Sequence, residues 1–221
     1  GNLDHDTSGR VTLRWVPDRL PLTLTVSADM LDWADNGQRL GVTGVNTALQ
    51  PFGPMGPSIG DLFQLYGLDP VDYLYRPGEN FDESYGLSAT GLPRIHTPRD
   101  EGKQAGVSAT LSVDVGAVNI KSISAWRKSD TFNSLDFDGM PLRIIESSNT
   151  YRQDQYSQEL QISGEFGNLQ AIGGLYYFEE DGTEKSEYTI FGALYGPVGG
   201  PVTSDFGEYE AQSKGAFLQA T

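Results

Sequence analysis

Residues 107–115 read VSATLSVDV, with Val107, Ala109, Leu111, Val113 and Val115 alternating with Ser108, Thr110, Ser112 and Asp114. Successive side chains of a strand point to opposite faces, so the stretch predicts a strand with one apolar and one polar face. Gly116-Ala117 follows as a two-residue turn, and residues 118–128 (VNIKSISAWRK) predict the returning strand. Its alternation is less regular. Val118, Ile120 and Trp126 share one face while Ile123 and Ala125 fall on the other, which predicts a β-bulge near Ser122.

The same grammar extends in both directions. Residues 8–16 alternate Val11, Leu13 and Trp15 with Thr12 and Arg14, and residues 22–31 alternate Leu22, Leu24, Val26 and Ala28 with Thr23, Thr25, Ser27 and Asp29. Pro17 and Pro21 confine the turn between them, because proline interrupts a ladder. Towards the C-terminus, residues 154–164 and 168–178 predict a hairpin across Glu165-Phe166-Gly167, and residues 212–221 begin a seventh strand. Between these hairpins the periodicity lapses over residues 32–104, 129–153 and 179–209, which are expected to be long loops. Within the first, Ile59 to Leu68 is apolar enough for a helical turn or two.

Connections thus run short, long, short, long, short, long. A membrane barrel has a reason for that rhythm, with short turns at its periplasmic end and extended loops outside. The predicted strands have about the 9–11 residues that a tilted strand needs to cross a bilayer. With the turns at Asp18, Gly116 and Gly167 on the periplasmic side, Trp15 and Phe166 lie near that end. Trp126, Tyr156, Tyr176, Tyr177 and Phe178 then lie near the other, as interfacial aromatic girdles require. The expected fold is therefore all-β: an antiparallel up-and-down transmembrane β-barrel, of which this chain supplies about seven strands. The competing reading is a secreted β-sandwich whose loop tyrosines bind a glycan.

Composition narrows the choice. A net charge of −15 disfavours nucleic acid, whose phosphates need a basic surface. The absence of cysteine removes disulfides and thiolate metal sites. His5 and His96 lie far apart in apparent loops, without partners at catalytic spacing. Asp136-Phe137-Asp138-Gly139 has part of the form of a calcium loop but lacks the later ligands, and is expected to be a polar loop tip. Glu179, Glu180 and Asp181 are adjacent on a strand, where neighbours point to opposite sides, so they do not form a carboxylate pair. Neither an enzyme nor a cofactor is expected.

Several stretches resemble the barrel region of TonB-dependent outer-membrane receptors. They are GRVTLRWVP (Gly9 to Pro17), NIKSISAWRKSDTF (Asn119 to Phe132), DQYSQELQISG (Asp154 to Gly164), GGLYYFEED (Gly173 to Asp181) and SKGAFLQAT (Ser213 to Thr221). The pairing of QYSQELQIS with a YYFEE-type strand end is the most specific of them. The resemblance implies a 22-stranded barrel around an N-terminal plug, with residues 1–221 forming part of its wall and residues 32–104 an extracellular loop. Plug and TonB-contacting motif are not visible, so the chain is expected to be an internal piece of a longer protein. The implied function is TonB-energised uptake of a scarce nutrient such as a ferric siderophore across a bacterial outer membrane. The implied partners are membrane lipid and lipopolysaccharide, the plug, TonB and a small nutrient ligand.

Site candidates follow from alternation and from loop composition. If Leu22, Leu24, Val26, Val107, Leu111 and Val113 face lipid, then Arg14, Thr23, Thr25, Ser108, Thr110 and Ser112 face the lumen and its plug. Aromatic loop residues Tyr66, Tyr73, Tyr75, Tyr85 and Tyr195 are candidates for ligand contact, with packing inside the loops as the alternative.

Overall fold

The computed structural model describes residues 3–35, 44–50, 53–74, 99–139, 142, 144–190, 192, 194 and 202–221. Seven antiparallel strands form one sheet: β1 (Leu3–Trp15), β2 (Leu22–Asp35), β3 (Arg99–Val115), β4 (Val118–Asp136), β5 (Ile145–Phe166), β6 (Leu169–Ile190) and β7 (Thr203–Ala220). Their spatial order is their chain order, an up-and-down meander. The sheet is not closed: among the described residues β1 pairs only with β2, and β7 only with β6. Among the described residues no second sheet is formed, so the two-layer sandwich is not the architecture found there.

All seven expected strands are present, but the strands are longer than their alternating cores. β4 runs to Asp136 and β5 starts at Ile145, so most of residues 129–153 is strand. β6 runs to Ile190 and β7 starts at Thr203, which shrinks the expected 179–209 loop to residues 191–202. The long connection is residues 36–98 instead of 32–104, because β2 continues to Asp35 and β3 begins at Arg99. In these extensions polar residues predominate on both faces, with Trp33, Phe132, Leu135 and Phe206 scattered among them, so pairing is held by backbone ladders without the apolar alternation that marks a strand in sequence.

The short turns lie where the sequence puts them. Gly116 (φ +63°) opens the two-residue β3–β4 turn, and Gly167 (φ +67°) opens the β5–β6 turn with Asn168. Left-handed backbone at these points suits glycine, which has no Cβ to clash. Phe166 is the last residue of β5, so the second turn is one residue tighter than expected.

The bulge expected near Ser122 is absent. β3 and β4 pair without a shift from Val115↔Val118 to Arg99↔Ser134, with Leu111 opposite Ser122. The irregular pattern has another cause. Ser122 and Ser124 share the face of Ile120 and Trp126, and Gln158 on β5 satisfies their hydroxyls: Ser124 donates to Gln158 Oε1, and Gln158 Nε2 donates to Ser122 Oγ at 3.0 Å.

Among the described residues, fully buried apolar side chains are confined to one place. Ile59, Leu62 and Phe63 of a short helix, α1 (Ile59–Leu65), pack with Leu142 and Ile144, with Val45, Tyr66, Leu68 and Leu194 around them. Three separate connections thus meet in one cluster. The helix starts at Ser58, whose Oγ accepts from Asp61 N–H at 3.1 Å, while Asp61 accepts from Ser58 N–H at 2.8 Å in a capping box.

Where strands cross-pair, large side chains lie over glycines: Trp33 over Gly102, Phe217 over Gly174 and Tyr209 over Gly182. A Cβ at Gly174 would fall 2.6 Å from the Phe217 ring and 2.8 Å from the Leu160 carbonyl oxygen, whereas one at Gly207 would meet nothing within 4 Å. Gly174→Val is expected to lower stability by about 1–3 kcal/mol, in line with overpacking elsewhere. Gly207→Ala is expected to change it by less than about 1 kcal/mol. Denaturant unfolding of the natural protein carrying this chain checks both.

Candidate functional site

The two faces of the sheet differ in kind, and the register assigns every strand residue to one of them. On one face, cross-strand rows join Leu22, Val113, Ile120 and Ile162, then Leu24, Leu111, Ser122, Leu160 and Leu175, and continue up to Ala28, Val107, Trp126 and Tyr156. β1 adds Val11, Leu13 and Trp15, and β7 adds Leu218 and Ala216. None of this is buried. Leu13 is 69% exposed, Leu175 60% and Leu218 82%, with Val107, Leu111 and Ile162 also open.

From β1 to β5 this belt carries no charged side chain over the nine residues from Val107 to Val115 and their partners; Lys214 and Glu179 enter only at its upper border on β6 and β7. Nine residues at about 3.4 Å each, tilted by about 45°, span roughly 20 Å, close to the apolar band of a membrane barrel. Aromatic rings mark both borders. Trp15 and Phe166 stand at the turn end, and Trp126, Tyr156 and Tyr177 stand at the top. Tyr156 and Tyr177 pack with ring centroids 6.4 Å apart, and Lys214 Nζ lies 5.7 Å over Tyr177. Tyr176 and Phe178 were expected in the same girdle. Their register puts them on the opposite face, and the upper girdle sits in mid-strand, well short of the loops.

The opposite face holds Arg14, Thr23, Thr25, Ser108, Thr110 and Ser112 together, all on one side of β1–β3. Polar groups there bond across strands: Thr12 with Ser27 at 2.9 Å, and Asn119 Nδ2 to Ser112 at 2.8 Å and to Asp114 at 2.7 Å. Higher up, Arg127 Nη2 donates to both carboxylate oxygens of Asp29 at 3.0 and 3.2 Å, over the space left by Gly106. Asp29 and Arg127 are 98 residues apart; alternation placed Asp29 on this face, but nothing local announced its partner. The same row continues with Gln155, which donates to Glu180 at 2.8 Å, and above it Tyr151 lies opposite Glu184. The Glu184 carboxylate holds the Tyr151 phenol above its ordinary pKa; burial, with the charges of Glu180, Asp181 and Glu184, does so for Tyr209.

The loop candidates separate. Tyr66 caps α1 and packs on the apolar cluster, and burial raises its phenol pKa, so it takes part in packing within the loops. Tyr73 ends a 3-10 turn (Pro70–Tyr73). Tyr75, Tyr85 and Tyr195, and also His96, lie outside the described residues. Asp136 is buried and its Oδ1 accepts the backbone N–H groups of Asp138 and Gly139 at 3.1 Å, while Asp138 accepts from Ile145 N–H at 2.7 Å. The expected polar tip is a set of backbone caps that closes the β4–β5 connection.

No family model matches the chain, and no curated protein matches it in sequence. Among solved structures it is similar to the ferric yersiniabactin uptake receptor FyuA from Yersinia pestis, with a TM-score of 0.53 and 12% sequence identity. The likeness covers 97% of this chain and 34% of that receptor, so the chain spans about a third of the receptor's length. At that identity the shared property is the fold: this open seven-stranded sheet resembles part of a receptor β-barrel.

Just above the belt, Asp32 accepts from His5 Nε2 at 3.1 Å and lies 3.2 Å from Lys103 Nζ, tying β1, β2 and β3 together. The His5 hydrogen bond, then that of Lys103, lowers the Asp32 pKa. A depressed carboxylate pKa stabilises the fold above the ordinary value of about 4, and that contribution disappears as pH falls through the folded-state pKa. Protection of amides at the loop end of β1 against hydrogen exchange, taken relative to the intrinsic rate at each pH, is expected to hold down to pH about 4 and to fall below it. Asp32→Asn is expected to flatten that dependence; loss of protection already near pH 6 would contradict the assignment.

Proposed function

We propose that this chain is wall of an outer-membrane receptor barrel that takes up a scarce small nutrient, such as a ferric siderophore, with energy delivered through TonB. The observation that carries the reading is the exposed apolar belt, bordered by aromatic rings at both edges and backed by a hydrogen-bonded polar face. Water would penalise such a surface, whereas lipid rewards it. Unpaired backbone at the outer edges of β1 and β7 would cost several kcal/mol per group in hydrocarbon. In this reading further strands pair with both edges and close a larger barrel, 22-stranded as in the family that the sequence resembles. The likeness to a siderophore uptake receptor supports the transport reading.

The polar face then lines the lumen. Arg14, Thr23, Thr25, Ser108, Thr110 and Ser112 contact a plug domain there, and the loop-end connections reach the nutrient from outside. The role is transport and recognition, with no reaction assigned to the chain. Leu111 lies mid-belt, and its neighbour Thr110 lies on the opposite face.

Leu111→Arg in the natural protein is expected to cost about 2–4 kcal/mol of stability in a bilayer, the range for arginine facing lipid near the midplane. Thr110→Arg is expected to cost clearly less. Denaturant titration in liposomes, followed by heat-modifiable gel mobility, reads both. Equal costs, or a natural protein that stays soluble without detergent or lipid, would overturn the membrane reading.

A further inference from the structure

Resting on that membrane reading and narrowing its cargo, we propose that the loop-end half of the lumen face is a binding surface for a neutral oligosaccharide. The first observation is a pair of aromatic rings laid on the sheet. Trp33 lies across Gly102 of β3 and Tyr209 across Gly182 of β6, on the face that carries Thr25 and Ser108. A Cβ at either glycine would overlap the ring, so each glycine lets its ring rest against backbone. The other side of each ring stays open: Tyr209 is exposed and Trp33 half-buried. A ring held in this way offers a fixed apolar face, and the C–H face of a pyranose is its complement. β3 and β6 are three strands apart, about 14 Å along the sheet at about 4.8 Å per strand, a length that a short oligosaccharide spans.

The second observation is what lies between the rings. In the Tyr209 row the register sets Gln104, Ser129 and Gln153 side by side, and in the Trp33 row Thr131, Tyr151 and Glu184. Among the described residues no side-chain hydrogen bond engages Gln104, Ser129, Thr131 or Gln153. The neighbouring rows are different. Below, Arg127 holds Asp29 and Gln155 holds Glu180; above, Asn149 donates to Asn133 at 3.1 Å and Ser186 to Asn149 at 2.8 Å. Uncommitted amides and hydroxyls are thus gathered between the two rings, with self-satisfied rows on either side. Each such group donates and accepts, which is what a sugar hydroxyl needs from a partner.

The third observation is charge. Above the Arg127 row, the described strand residues of this face include no Lys or Arg; Arg99, Lys103, Lys128, Arg152 and Lys185 all lie on the belt side. The face does carry Asp35, Asp100, Glu184 and Asp205. An anionic cargo would meet repulsion there and no cationic fork to hold it. A neutral sugar meets acceptors for its hydroxyls.

The test uses the natural protein in mild detergent, titrated calorimetrically with neutral gluco-, galacto- and manno-oligosaccharides, with their phosphate esters, and with a ferric hydroxamate. Wild type is expected to bind at least one neutral series saturably and its phosphate ester at least tenfold more weakly, with no competition from the ferric hydroxamate. Trp33→Ala and Tyr209→Ala are each expected to lose tenfold or more, and Trp33→Phe to keep most of the affinity. The double variant Gln104→Ala, Gln153→Ala is expected to lose as much as either ring, and it decides the matter if a ring variant fails to fold. Absence of binding to every neutral series, equal binding of the ester, displacement by the ferric hydroxamate, or a double variant that binds like wild type would overturn the proposal. Heat-modifiable mobility in liposomes separates the two readings. A wild type that inserts but binds no neutral sugar refutes only this surface, whereas failure to insert refutes the membrane reading beneath it.

Discussion

Everything in this chain depends on the backbone ladder between neighbouring strands. The sheet has almost no apolar core: among the described residues five apolar side chains are buried, all at the loop end, and the strand residues of the belt are open. What remains is pairing, which runs without a shift from β2 to β7 and lapses only between Leu3 and His5 at the start of β1. In water such a ladder competes with solvent and is worth little per bond. In hydrocarbon it has no competitor, and each bond is obligatory. An open ladder with an apolar face therefore makes physical sense next to lipid.

A second constraint follows from the first. Once register is set, each residue's face is decided by parity alone, and a slip of one position would invert both faces. The polar trio of Ser122, Ser124 and Gln158 shows how the sheet tolerates an exception. Three polar side chains sit on the apolar face, yet they satisfy one another across β4 and β5. Ser and Gln can do this because each donates and accepts. The same rule operates on the other face, where Arg127 reaches Asp29 across a glycine and Asn119 reaches Ser112 and Asp114.

The loop end obeys different physics. There the strands outrun the apolar belt, and three connections are gathered by a small cluster around α1. This cluster couples segments from residues 45, 142 and 194, so the connections do not hang independently from the strands. Tyr66 shows the consequence for site prediction. A tyrosine in a Gly- and Pro-rich loop has the composition of a ligand contact, but here it packs against the apolar cluster around α1.

Read alone, the sequence determined the alternation of faces, the seven strand cores, the turns at Gly116 and Gly167 and the polar set from Arg14 to Ser112. These are local: period-two patterning and left-handed turn residues depend on near neighbours only. The strand extensions over 129–136, 145–153, 179–190 and 203–211 were illegible, because polar residues on both faces leave no periodic trace. Only the tertiary structure decided that Asp29 meets Arg127, that Tyr176 turns away from the girdle, and that Lys103 and Arg152 share one row with Asp32 and Asp130. Those facts depend on register between distant segments, and register is a property of the assembled sheet.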